Sequence, residues 1–108
     1  EDKGKFLENT VFLHLRRLHN DDIYYYKTKK DKEVDFYLPK KKTFIQVSQS
    51  ITDPRTRQRE VQALEESMKE VGGSTGMIIT EDEKDTIKIE GRTILILPVY
   101  EWLLSAKV

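Results

Sequence analysis

At 108 residues without a cysteine, the chain is long enough for one hydrophobic core and excludes a disulfide framework, a thiolate zinc site and a cysteine nucleophile together. Lys plus Arg and Asp plus Glu each number 19, so no global positive field draws nucleic acid in, and any such contact must come from a local patch. The lack of cysteine leaves the redox compartment open, with cytoplasm as the default, and no apolar run approaches the roughly 20 residues of a membrane span, so a membrane is no expected partner.

The chain begins at Glu1 rather than methionine, which reads as a piece of a longer polypeptide. From Phe6 to His19 the apolar residues Leu7, Val11, Leu15 and Leu18 recur at three-to-four spacing. That spacing predicts an amphipathic helix, ended by Asn20, Asp21 and Asp22. Three strands are expected next, over Ile23 to Lys27, Glu33 to Leu38 and Thr43 to Ser48. Their short lysine-rich turns imply an antiparallel meander.

Asp53 or Thr56 is positioned to cap a second helix running to about Val71, with Val61, Leu64, Met68 and Val71 as its stripe and Gly72 and Gly73 as its stop. Gly76 to Thr80 reads as a strand covered on both faces, with the preceding helix as its crossover. Thr86 to Glu90 and Thr93 to Leu97 flank Gly91 and Arg92 as a hairpin. Pro98 then opens a short last helix carrying Tyr100, Trp102, Leu103 and Leu104, whose apolar side chains are expected in the core or, alternatively, at a docking surface for the rest of the parent protein. The fold class is therefore α/β (α+β), with a central mixed sheet flanked by helices, a C-terminal hairpin and a short helix, in one domain over residues 1–108.

Three polar residues stand where apolar ones are expected. At about 100° per residue Glu8 projects between Phe12 and Leu15, inside the stripe of the first helix. It is either a site carboxylate or a residue near the helix start whose charge favours the dipole and whose head reaches water. On the second strand Val34, Phe36 and Leu38 are expected on one face and Glu33, Asp35 and Tyr37 on the other. Asp35 is then mid-strand, where Asp is disfavoured. On the third strand Phe44, Gln46 and Ser48 share a face.

The order helix, three strands, helix, strand resembles the αβββαβ core of the restriction-endonuclease-like PD-(D/E)XK superfamily. Gly4-Lys5-Phe6-Leu7-Glu8-Asn9, Glu33-Val34-Asp35-Phe36, Ile45-Gln46-Val47-Ser48 and Thr56-x-x-Arg59-Glu60 followed by Ala63-Leu64 are similar to a domain of unknown function. That domain is found at the C-terminus of prokaryotic AAA-type (archaeal-type) P-loop ATPases.

The resemblance implies a site in which Glu8, Asp35 and the residue at Gln46 hold Mg²⁺ near a scissile phosphate, while a lysine at the place of Ser48 activates water. It also implies an N-terminal ATPase domain of the same polypeptide as partner, and DNA as ligand. Two positions depart from the pattern: Gln46 supplies a carbonyl but no charge, and Ser48 supplies no cation. Arg57 and Arg59 on the second helix are the replacements at hand, although Arg accepts a proton poorly, and Glu60 is expected to border the same pocket. The implied Mg²⁺ is correspondingly weak or absent.

Lys30 and Lys32, within a run of lysines that includes Lys27 and Lys29, join Arg57 and Arg59 as candidate nucleic-acid contacts, with Tyr24 to Tyr26 nearby for stacking. The other reading of those lysines is that they keep turns and sheet edges soluble. His14 and His19 are five apart, a poor ligand spacing on a helix. Three functions remain open: a degenerate nuclease-like accessory domain that binds nucleic acid or regulates its neighbour, an active Mg²⁺-dependent DNase, and a protein-interaction module.

Overall fold

The computed structural model describes residues 2–19, 22–73 and 75–105. Asn20 and Asp21, expected to end the first helix, lie outside the described residues. That helix, α1, spans Lys3–His19 and starts a turn earlier than its apolar spacing signals. The reason is a cap: the Asp2 carboxylate accepts from the Lys5 backbone N–H at 3.1 Å. Leu7, Val11 and Leu15 are buried on it, whereas Leu18 remains 42% exposed.

The strands are β1 (Tyr24–Lys27), β2 (Glu33–Leu38), β3 (Thr43–Val47), β4 (Thr75–Thr80), β5 (Asp85–Ile89) and β6 (Arg92–Pro98), with a 3₁₀ turn over Pro39–Lys41 between β2 and β3. They form one mixed sheet in the order β1-β2-β3-β4-β6-β5. β3, β4 and β6 run parallel in the middle, and β1, β2 and β5 add antiparallel at the sides. Helix α2 (Pro54–Val71) is the crossover from β3 to β4. Of the two caps the sequence offers it, Asp53 is the one used, its carboxylate accepting from Arg55 N–H at 2.9 Å. Gly72, in the left-handed region at φ 92, closes the helix with its N–H on the Met68 carbonyl.

Each face of the sheet carries its own core. Val11, Leu15, Phe36, Leu38, Ile45, Met77, Ile79 and Trp102 pack together under α1 and α3 (Val99–Leu104), and Val34, Phe44, Ala63, Leu64, Met68, Ile78, Ile94 and Ile96 pack under α2. Val34 is therefore on the face opposite to Phe36 and Leu38, which corrects the simple alternation expected of this strand. The cause is a bulge. Tyr24 pairs with Tyr37 but Tyr26 pairs with Val34, so β2 carries one extra residue around Asp35.

Two further expectations are corrected at the C-terminal end. Of the last helix only Trp102 is core, since Tyr100 is 60% exposed and Leu104 85%. The hairpin turn is centred on Glu90 and Gly91, both at positive φ (50 and 81), rather than on Gly91 and Arg92.

Candidate functional site

The β2–β3 ladder runs from the Leu38–Thr43 pair to the Phe36–Ile45 pair. Past the bulge the strands are joined by side chains. Gln46 Oε1 accepts from Asp35 N–H at 3.0 Å, Gln46 Nε2 donates to the Glu33 carbonyl at 3.0 Å, and Asp35 Oδ2 accepts from Val47 N–H at 2.7 Å.

A cavity of about 430 Å³ opens at this fork. Asp35 and Gln46 form its floor beside Val47, Glu60 and Arg59 enter from α2, and Lys30 and Lys32 come from the β1–β2 turn. The turn is fixed to α2. Glu70 accepts from Tyr26 Oη at 2.7 Å and from Lys29 N–H at 2.9 Å, while Glu66 accepts from Thr28 Oγ1 at 3.2 Å and lies 3.9 Å from Lys32 Nζ.

The electrostatics follow from this enclosure. Burial pushes the Asp35 carboxyl up to about 6; the Val47 N–H opposes that rise, and the Glu8 and Glu33 carboxylates add to it. Burial and the nearby Asp35 push Glu60 up to about 7, against the pull of Arg59. Arg59 Nη2 stands 3.5 Å from Glu60 Oε2 and is itself 69% exposed. Lys30 has no ion-pair partner among the described residues.

The expected site residues separate into groups. Asp35, Gln46, Lys30, Lys32 and Arg59 share the cavity. Glu8 is exposed and lines a neighbouring depression with Lys5, Asn9, Phe12 and Phe36, although its charge is felt at Asp35. Ser48 lies just past β3, its N–H on the Ile79 carbonyl and its hydroxyl donating to the Ser50 carbonyl at 2.9 Å. Arg57 lines a different depression and pairs with Asp85 at 2.9 Å. Glu60, expected from the sequence to border the same pocket, lines it, as do Asp31 and Glu33 beside Asp35. The signal for Glu60 was its place one residue past Arg59 and one turn before Leu64, on the side of α2 that meets the sheet.

This donor set does not fit a resident Mg²⁺. The Gln46 carbonyl oxygen already accepts from the backbone, Glu8 lines a different depression, and Asp35 has one oxygen engaged by Val47. Of the other acids that line the cavity, Asp31 pairs with Lys27 and Glu33 bonds the Tyr25 hydroxyl; Asp35 and Glu60 remain, and no group of three or more His, Cys, Asp or Glu able to hold a metal occurs among the described residues. A hard cation asks for six oxygens in near-octahedral order. The arrangement raises the proton affinity of two partly desolvated carboxyls and places three cationic side chains at the same cavity.

No helix of the described residues is long and apolar enough to cross a membrane. No solved structure matches the chain. An uncharacterized protein of Methanocaldococcus jannaschii is 34% identical over 115 aligned positions, covering 97% of this chain and 26% of the relative, so the chain spans about a quarter of the length of that protein. The family model described as "Domain of unknown function (DUF4143)" matches residues 3–102. On that match, over nearly its whole length, the chain belongs to the DUF4143 family.

Proposed function

We propose that this domain is a degenerate nuclease-like module of the PD-(D/E)XK kind that contacts nucleic-acid backbone and serves an ATPase domain in a longer cytoplasmic polypeptide, with weak or no catalysis. One observation carries the reading. Lys30, Lys32 and Arg59 line the cavity that holds Asp35, Asp31, Glu33 and Glu60, where the resemblance puts the scissile phosphate, while the two positions that depart from the catalytic pattern, Gln46 and Ser48, are engaged in backbone hydrogen bonds. Cations at the mouth favour a phosphate. The loss of an acid at position 46 and of a lysine at position 48 disfavours metal-assisted hydrolysis.

The test is fluorescence anisotropy of labelled single- and double-stranded oligonucleotides, alongside plasmid nicking with Mg²⁺ or Mn²⁺. Salt-sensitive binding that Lys30→Glu and Arg59→Glu each weaken, with no cleavage above an Asp35→Ala control, is the expected result. Absence of binding at low salt sinks the reading. Metal-dependent cleavage lost in Asp35→Ala replaces it with the active DNase.

A second reading, a protein-interaction module docked on the ATPase domain of the same polypeptide, is favoured by the apolar side chains that α1 and α3 leave exposed. Phe6, Leu13, Tyr100 and Leu104 are 75%, 52%, 60% and 85% exposed. Leu13→Glu, which leaves the cavity intact, separates the two: it spares oligonucleotide binding on the first reading and releases the neighbouring domain on the second.

A further inference from the structure

Gln46 is 3% exposed, and both of its side-chain polar atoms bond the β2 backbone across the fork, to Asp35 N–H and to the Glu33 carbonyl. Because one partner is a donor and the other an acceptor, the amide orientation is fixed by its surroundings. If either bond were lost, a backbone group at the floor of the cavity would be left without its partner.

We infer that Gln46 is a positioning residue, a clamp that replaces the interrupted β2–β3 ladder and sets Asp35 at the cavity, and that the clamp excludes from position 46 the carboxylate a metal centre would require. The inference deepens the nuclease-like reading of the cavity, but the hydrogen bonds that support it do not depend on whether nucleic acid binds.

Glutamine and glutamate have nearly the same shape and differ where it matters here, in one terminal atom. An ionised glutamate keeps the acceptor for Asp35 N–H. It sets its other oxygen against the Glu33 carbonyl oxygen, lone pairs facing, in a cavity that Asp35 and Glu60 already line. A protonated glutamate donates to that carbonyl again. Damage from Gln46→Glu is therefore reversed by acid, whereas Gln46→Met, similar in length and unable to make either bond, gains nothing from acid. A residue that only filled space would not separate the two substitutions in this way.

The experiment uses the whole 108-residue chain and compares wild type, Gln46→Glu, Gln46→Met and Gln46→Glu/Ser48→Lys. Thermal unfolding is followed at about pH 5 and about pH 8, with and without Mg²⁺, with amide hydrogen exchange at Asp35 and Val47. At the higher pH both single variants should melt roughly 4–12 °C below wild type. At the lower pH Gln46→Glu should recover at least half of its gap and Gln46→Met should not. Exchange at Asp35 should accelerate in Gln46→Met and much less in Gln46→Glu. Mg²⁺ should shift no variant more than it shifts wild type.

The inference is overturned if Gln46→Glu matches wild type at the higher pH. It is also overturned if Mg²⁺ stabilises Gln46→Glu or the double variant beyond wild type, because position 46 then accepts a metal-binding carboxylate. Should Gln46→Glu not fold at the higher pH, the acid arm decides: recovery supports the clamp, and failure there while Gln46→Met folds overturns it. A wild type that binds no oligonucleotide removes the proposed function and leaves these melting and exchange results to stand by themselves.

Discussion

Asp35 and Gln46 hold the open end of the β2–β3 hairpin together from opposite strands. The Asp35 backbone N–H donates to Gln46 Oε1 at 3.0 Å, and one residue beyond Gln46 the Val47 N–H donates to Asp35 Oδ2 at 2.7 Å. The bulge that interrupts the ladder thus creates the site, because it frees backbone groups that only these side chains satisfy. It also leaves a carboxyl partly desolvated, beside the equally enclosed Glu60.

That enclosure fixes a pH dependence. Asp35 at about 6 and Glu60 at about 7 lie above unfolded-chain values of roughly 4, so the folded state binds the extra protons. Their stabilising effect is full below about pH 4 and is lost as pH rises through 6 and 7. Glu83 and Asp85, held below the ordinary carboxylate range, act oppositely and lose their contribution in acid. Stability should therefore peak in mild acid and fall toward pH 8, by on the order of 2 kcal/mol from the cavity pair. Asp35→Asn and Glu60→Gln should each flatten that fall. Urea unfolding at pH 5.5 and pH 8 checks this, and a wild type equally stable at both, or more stable at pH 8, contradicts it.

The fastening of the lysine turn gives a prediction with an unusual sign. Glu70 lies beneath the turn and holds it through Tyr26 Oη and Lys29 N–H, so it sets where Lys30 sits. On charge alone, removing an acid near a cationic patch strengthens binding of a polyanion. If placement dominates, Glu70→Ala weakens oligonucleotide binding, by about three- to tenfold. Anisotropy titrations of the two proteins at matched salt decide, and tighter binding by Glu70→Ala shows that the turn needs no fastening.

Much of the fold was legible because its signals are local. The three-to-four spacing of Leu7, Val11 and Leu15, the Asp53-Pro54 start of α2, Gly72 at its end and the uninterrupted Met77-Ile78-Ile79 strand each specify an element from a few neighbouring residues. Asp35 and Gln46 were legible as polar residues in strands. The bulge was not, since a pairing register belongs to two strands and one extra residue reverses which face Val34 meets. The rotation of α2 was legible only in part: Glu60 was expected at the pocket, but the separation of Arg57 from Arg59 was not. Leu64 and Met68 seat the helix so that Glu60 and Arg59 face the cavity while Arg57 turns to Asp85. Nor do Glu66 and Glu70 carry a local signal, since the turn that rests on them comes from a distant part of the chain.

The last prediction concerns how the start of α2 is held, since that start determines where Glu60 falls. Glu83, in the β4–β5 loop, accepts from Ile51 N–H at 2.7 Å, from Ser50 Oγ at 3.1 Å and from Thr52 Oγ1, and its own N–H donates to the buried Thr80 hydroxyl at 2.9 Å. Ile51 is 3% exposed and packs in the core beneath α2, which begins three residues later at Pro54. Burial raises the Glu83 carboxyl, but the hydrogen bonds from Thr52, Ile51 and Ser50 outweigh it and hold the group below the ordinary carboxylate range. Its contribution is accordingly present above about pH 4 and lost as acid protonates it. Glu83→Ala leaves the Ile51 N–H without an acceptor and should cost about 1–3 kcal/mol at neutral pH. Glu83→Gln, which keeps one carbonyl oxygen for that N–H, should cost less. Both should weaken the acid limb of the stability profile while leaving the fall between pH 5.5 and pH 8 in place, because that fall belongs to Asp35 and Glu60. Acid and urea unfolding of the three proteins separate the two limbs. An acid limb unchanged in Glu83→Ala would assign acid sensitivity to other carboxylates and remove Glu83 as the fastening of the loop.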